Sequence, residues 1–201
     1  MAEIPKSVRL ITNKDIVKLG TNIVEWSLKS TGPINDAWPE LTGEVPMSVK
    51  SNFIVRSEIL WFFLHMMDRY SFAFGGPTVR DILQDAIVKN AIETMLTASF
   101  HAGQLDKKGF DEWIGRISSN AVEEFNDAQI DYSSCKTLGI ENRGDFLNEE
   151  TIIGRLAARI EHLTGQNYNL HLRLLIWLTI TESLVKSELK KLVEKACRIV
   201  K

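Results

Sequence analysis

The most apolar stretch of the chain is Ile59–Met67, ILWFFLHMM, which Glu58 precedes and two charged residues follow. The run is too short to span a membrane, because a spanning helix needs about 20 apolar residues. A helix that is apolar on all sides is buried in the interior of a protein. The pattern therefore predicts a buried central helix over about residues 47–72, which carries His65 into the core.

Apolar residues that recur every three or four positions predict further helices on both sides of the central one. They cover about residues 13–29, 79–98, 111–133, 148–165 and 168–201. Thr12 or Asn13 is the expected N-cap of the first helix, and Asn148 that of the helix at 148–165. Three prolines fall within residues 30–46, where we expect a loop that Trp38 pins to the core. Gly75–Thr78, GGPT, predicts a turn after the central helix.

The predicted fold class is all-α, because no β-branched alternating runs bounded by turns occur. We expect a single-domain bundle of about six helices around two buried apolar helices, 47–72 and 168–186. The domain spans 1–201, with a less regular N-terminal helix and loop at 1–46 and a helical core at 47–201. The second apolar segment, Leu174–Thr181, is expected to pack against the central helix.

Charge and cysteine content limit the class of protein. The net charge of −2 over 201 residues gives no indication of binding to nucleic acid or to an anionic membrane. No stretch approaches the length of a membrane span, and residues 1–15 lack the apolar core of a signal peptide. Cys135 and Cys197 lack metal-ligand spacing, and we expect them to be reduced. These features predict a cytoplasmic protein.

The charged residues around the apolar run form a candidate polar site: Glu58, His65, Asp68 and Arg69. At about 100° per residue, Glu58, His65 and Arg69 share one helix face. In one interpretation they form a structural network that satisfies the buried histidine. In the other, His65 binds a metal or transfers a proton, with Glu58 and Asp68 as partners. We favour the first, because structural ion-pair networks are commoner than active sites. Neighbouring helices offer Arg69 three expected partners, Asp81, Asp85 and Glu93.

A metal centre would draw on His65 or on a separate acidic stripe. Dinuclear carboxylate bundles repeat Glu-x-x-His on two helices, and this pattern is missing from the chain. His101 is the further histidine that could approach His65. Carboxylates on one helix face can hold Mg²⁺ for phosphate chemistry. The acidic stripe consists of Glu123, Glu124, Asp127 and Asp131.

Residues 123–127, EEFND, resemble the second acidic motif of all-α nucleoside triphosphate pyrophosphatases. The resemblance covers five residues, and the family's first motif, Glu-x-x-Glu, is missing earlier in the chain. It implies metal-dependent hydrolysis of a phosphorylated substrate. A solvated acidic surface is the interpretation that we favour, since charge runs usually are solvated.

Known catalytic motifs give no assignment, since the chain has no P-loop, Gly-x-Ser-x-Gly, His-Glu-x-x-His or zinc-finger spacing. Our first hypothesis is a non-enzymatic helical module that binds a protein partner or a small ligand. We expect no cofactor for it, and a homo-oligomer is an expected form. The alternative is a metal-dependent hydrolase acting on a phosphorylated substrate, with a divalent metal held by the His65 set or by the acidic stripe.

Overall fold

A computed structural model describes residues 13–44, 47–101, 121–142, 144–166 and 168–200. Within these ranges the regular structure is helical, apart from one isolated β-bridge between Thr137 and Thr151. The prediction of an all-α bundle is confirmed. None of the helices in the described ranges is long and apolar enough to cross a membrane. The elements are α1 (Lys14–Thr42), α2 (Val49–His101), α3 (121–133), a 3-10 turn (Asp145–Leu147), α4 (Ile152–Thr164), α5 (Leu170–Ser187) and α6 (Leu189–Val200).

Helix α1 begins where the sequence predicts and ends much later. The side chain of Asn13 caps it by accepting from the backbone N–H of Asp15 at 3.0 Å. The predicted loop over 30–46 is wrong, because α1 continues through Pro33 and Pro39 to Gly43. Each proline removes a helix hydrogen bond at a cost of about 3 kcal/mol. Complete burial of Trp38 in the core offsets that cost, so a residue expected in a loop anchors the end of the helix instead.

Helix α2 combines two predicted helices. Its backbone is non-helical at Gly76 alone, where φ is 76° and ψ is −177°. The predicted turn at residues 75–78 is thus a one-residue break rather than a loop. Most residues from Ile59 to Met67 are fully buried, as a helix apolar on all sides requires.

The last part of the chain contains three short helices. Thr151 caps α4 by accepting from the backbone N–H of Gly154, so the expectation that Asn148 is the cap is wrong. The predicted helix over 168–201 is divided at Glu188, whose φ is 51°. The hydroxyl of Ser187 then accepts from the N–H of Leu189 at 3.3 Å, at the first residue of α6.

The core lies around the first half of α2. Helices α1, α4 and α6 pack against α2, and α3 contributes the ring pairs Trp61–Phe125 and Phe62–Tyr132. Helix α5 packs on α1 and α4, whereas the sequence led us to expect it beside α2. This peripheral position follows from its pattern, because α5 buries one side and leaves four large apolar side chains exposed.

Candidate functional site

An arginine that the sequence analysis did not single out joins the two predicted polar sets. Arg159 of α4 donates from Nε to Oε2 of Glu58 at 2.7 Å and from Nη2 to Oε1 at 3.0 Å. Its Nη1 donates to Oδ2 of Asp131 at 2.5 Å. One carboxylate from the buried run and one from the acidic stripe therefore meet on a single guanidinium.

Burial controls the electrostatics of this cluster. Burial raises the pKa of Glu58, and the hydrogen bonds and charge of Arg159 offset only part of that shift. Burial also raises the pKa of Glu124, and the negative charge of Glu58 adds to the effect. For Arg159, burial opposes the charged form and is the largest single effect, but the hydrogen bonds to Glu58 and Asp131 and the charge of Glu58 together raise the pKa of the guanidinium. Arg159 is therefore a permanent cation between these acids.

His65 has a different partner from Glu58. Its Nδ1 lies 2.7 Å from Oε1 of Gln129 on α3, and its ring packs on Tyr132 with centroids 5.3 Å apart. Burial lowers the pKa of the imidazole, which is therefore neutral at pH 7. Because the amide oxygen accepts, Nδ1 carries the proton and the buried Nε2 has no hydrogen-bond partner. The interaction with Gln129 is typical of a structural histidine between two helices.

Asp68 and Arg69 contact two further parts of the molecule. The carboxylate of Asp68 accepts from Nε of Arg80 at 2.6 Å, across the Gly76 break. Nη1 of Arg69 donates to the backbone carbonyl of Cys135 at 3.2 Å. The acidic partners expected for Arg69 were wrong, since a carbonyl after α3 takes that place. The four residues of the predicted site thus diverge to α4, α3, the second half of α2 and the loop beyond α3.

The acidic stripe is only partly a surface feature. Glu123, Glu124 and Asp127 are exposed on α3, whereas Asp131 is half-buried against Arg159. Within the described ranges, no three histidine, cysteine or carboxylate side chains are grouped as a metal site. The side chain of His101 and residues 111–120 of the predicted fourth helix lie outside the described part of the chain.

A second arginine cluster lies beside the first. Arg173 of α5 bonds both Glu161 and Glu149, with nitrogen–oxygen distances of 2.7 and 2.8 Å. Its guanidinium also lies 4.5 Å from the ring centroid of Tyr168, a cation–π contact. Because Glu161 lies on α4, Arg173 ties α5 to α4. Both arginine clusters line an open groove of about 420 Å³, in which Arg159 and Arg173 are already paired with carboxylates.

The exposed face of α5 is the largest feature that sequence reasoning missed. We call the exposed side chains Leu170, Leu174, Leu178 and Val185 the α5 stripe. Intervals of four and seven residues place them along one side of the helix. Ile140, also exposed, continues this surface, because Trp177 holds the adjacent carbonyl of Gly139 at 2.6 Å. The spacing was visible in the sequence, but the apolar residues between these positions gave the impression of a helix buried on all sides.

Comparisons with known proteins give no functional assignment. No protein-family model, curated protein or solved structure matches it. The likeness of residues 123–127 to a pyrophosphatase motif is therefore not accompanied by a match over a longer stretch. The geometry of the chain's own residues remains the basis for a functional proposal.

Proposed function

We propose that this protein is a non-enzymatic helical module that binds a protein partner through the α5 stripe. The observation that carries the proposal is the exposure of Leu170, Leu174, Leu178 and Val185 on one line of a well-anchored helix. Scattered single apolar residues are normal on protein surfaces, but an aligned apolar patch marks an interaction site. Helix-in-groove recognition uses anchors at this spacing.

The surroundings of the stripe support a role in docking. On the side opposite the stripe, helix α5 is held to α4 by the buried Arg173 ion pairs. It is held to α1 by the hydrogen bond between Ser30 and Ser183 at 2.7 Å. At its C-terminal end the stripe borders a mainly apolar cavity of about 320 Å³, which Ile140, Leu184 and Val185 help to line. A rigid element with an apolar ridge and an adjacent recess can bind a partner helix without prior rearrangement.

The alternative, a metal-dependent hydrolase, has one favourable observation: Glu58, Glu124 and Asp131 approach one another around Arg159. A metal ion there would compete with a guanidinium whose three nitrogens all donate to these carboxylates. We test this alternative by measuring the melting temperature with and without Mg²⁺ for wild type and for Glu124→Ala. Equal shifts in both proteins contradict a metal site at these acids, and a shift confined to wild type supports the hydrolase.

The docking proposal is tested with a displayed library of amphipathic helical peptides. We expect selected peptides to bind wild type and to lose binding to Leu178→Glu. Phe72→Glu is the matched control, because Phe72 is 56% exposed and Leu178 is 51% exposed, but Phe72 lies on α2. Binding that survives Leu178→Glu, or that Phe72→Glu removes equally, would contradict docking on α5.

A further inference from the structure

The α5 stripe is close to a palindrome. Its positions are 170, 174, 178 and 185, and the half-buried Thr181 completes the line between the last two. When two copies of α5 are placed antiparallel with a two-fold axis near Leu178, Leu170 faces Val185 of the second copy. Leu174 then faces Thr181 of the second copy, and the two Leu178 side chains meet at the axis. A surface that complements itself in this way is the requirement for an isologous dimer.

The polar residues on one edge of the stripe favour the same antiparallel arrangement. His171 and Glu182 are both exposed, and helix geometry places them within about 20° of each other around the axis of α5. The two-fold axis brings this edge against its own copy, so His171 lies near Glu182 of the second copy, twice per dimer. A parallel arrangement would instead place this edge against the opposite edge of the second copy, and the His171–Glu182 pairs would not form. Complementary polar groups that meet at the edge of an interface fix the orientation and register of the two helices.

The spacing also suits direct helix packing. Positions 174, 178, 181 and 185 are separated by four, three and four residues, which is the repeat of a coiled-coil seam. Helix α5 has 18 residues and is therefore about 27 Å long, which limits the interface to the small end of known dimers. We propose that a second copy of this chain occupies the α5 stripe in an antiparallel, two-fold symmetric dimer. This inference rests on the proposed docking role of α5 and names its partner.

Sedimentation velocity over a range of protein concentrations tests whether the dimer forms. We expect the mass to rise with concentration from 22.8 kDa towards twice that value for wild type and for Phe72→Glu. Leu178→Glu should remain monomeric at every concentration. Because Leu178 is exposed in the single chain, the variant should keep the helical circular dichroism of wild type. At low concentration, where wild type is also monomeric, it should keep the wild-type melting temperature.

Cysteine cross-linking tests the antiparallel register itself. Leu178→Cys should form a disulfide-linked dimer under mild oxidation, because the two sites lie next to the axis. Val185→Cys alone should not, since its two copies lie about 22 Å apart, far beyond the reach of a disulfide. A mixture of Leu170→Cys and Val185→Cys should yield the mixed dimer. The natural Cys135 and Cys197 are 3% and 1% exposed and do not compete.

The outcomes separate this inference from the function on which it rests. A wild-type chain that stays monomeric, or a dimer that persists in Leu178→Glu, overturns the α5 dimer. Cross-linking of Val185→Cys alone overturns the antiparallel register. A monomer that still binds amphipathic peptides through Leu178 rejects the dimer and keeps the docking role, whereas loss of both rejects both.

Discussion

Replacing Arg159 by methionine should lower the free energy of unfolding, because the buried carboxylate of Glu58 would lose its partner. The side chain of Glu58 is 4% exposed, and both of its oxygens accept from Arg159. Removing one partner of a buried ion pair costs about 3–5 kcal/mol, because the remaining charge is left without solvent or a counter-ion. Asp131, 40% exposed at its side chain, adds little to this cost. For a chain of this length the loss corresponds to a decrease of about 6–20 °C in melting temperature.

The destabilisation caused by Arg159→Met should depend on pH, in a direction that follows from the pKa of Glu58. Burial holds the folded-state pKa of Glu58 above its ordinary value, so the folded protein takes up this proton more readily than the unfolded chain does. The contribution of Glu58 to stability is therefore complete below the unfolded pKa and is lost as pH rises through the folded pKa. Without Arg159 the folded pKa rises further. We expect the destabilisation of Arg159→Met to be larger at about pH 8 than at about pH 5.

Urea denaturation at both pH values, followed by circular dichroism, measures this effect. The double variant Glu58→Leu with Arg159→Met is the matched control, because replacing both members of a buried pair by apolar residues is often neutral. It should recover most of the stability that the single variant loses. A single variant as stable as wild type, or a loss that is the same at both pH values, would refute the reasoning about Glu58.

Three further substitutions test the loop before α4, the C-cap of α4 and the surface. Gly139→Ala should lower the unfolding free energy by at least about 2 kcal/mol, because φ is +88° and the new Cβ would lie 2.5 Å from the Thr151 hydroxyl. Gly165→Ala, with φ of +74° and open space around it, should cost only about 1–2 kcal/mol, and equal losses in urea denaturation would contradict the clash. Lys195→Ala removes an exposed ion pair to Asp15 and should change the melting temperature by no more than about 2 °C.

The helical class and the buried run could be predicted because both depend on local apolar spacing. The length of α1 could not, since Pro33 and Pro39 carry a strong local preference against a helix interior. The burial of Ile34 and Trp38 that outweighs it is a property of the packed molecule. Local propensity is a weak guide wherever tertiary burial is large.

The candidate site shows the same limit. The sequence identified Glu58 and Asp131 separately, because each stands in a recognisable pattern. Arg159 was missed, since it lies more than 25 positions from either acid and nothing local marks it as their partner. Pairing between distant side chains depends on how helices cross, which the spacing of residues within one helix does not encode.

The Gly76 break gives α2 the properties of a braced joint. A single residue interrupts the helical backbone, so the two halves are stiff rods that meet at one adjustable point. The Asp68–Arg80 ion pair spans that point and links the two halves of the helix. The orientation of the second half of α2 is therefore set by this ion pair together with the burial of Leu83 and Ile87 in the core, and not by a continuous helical backbone.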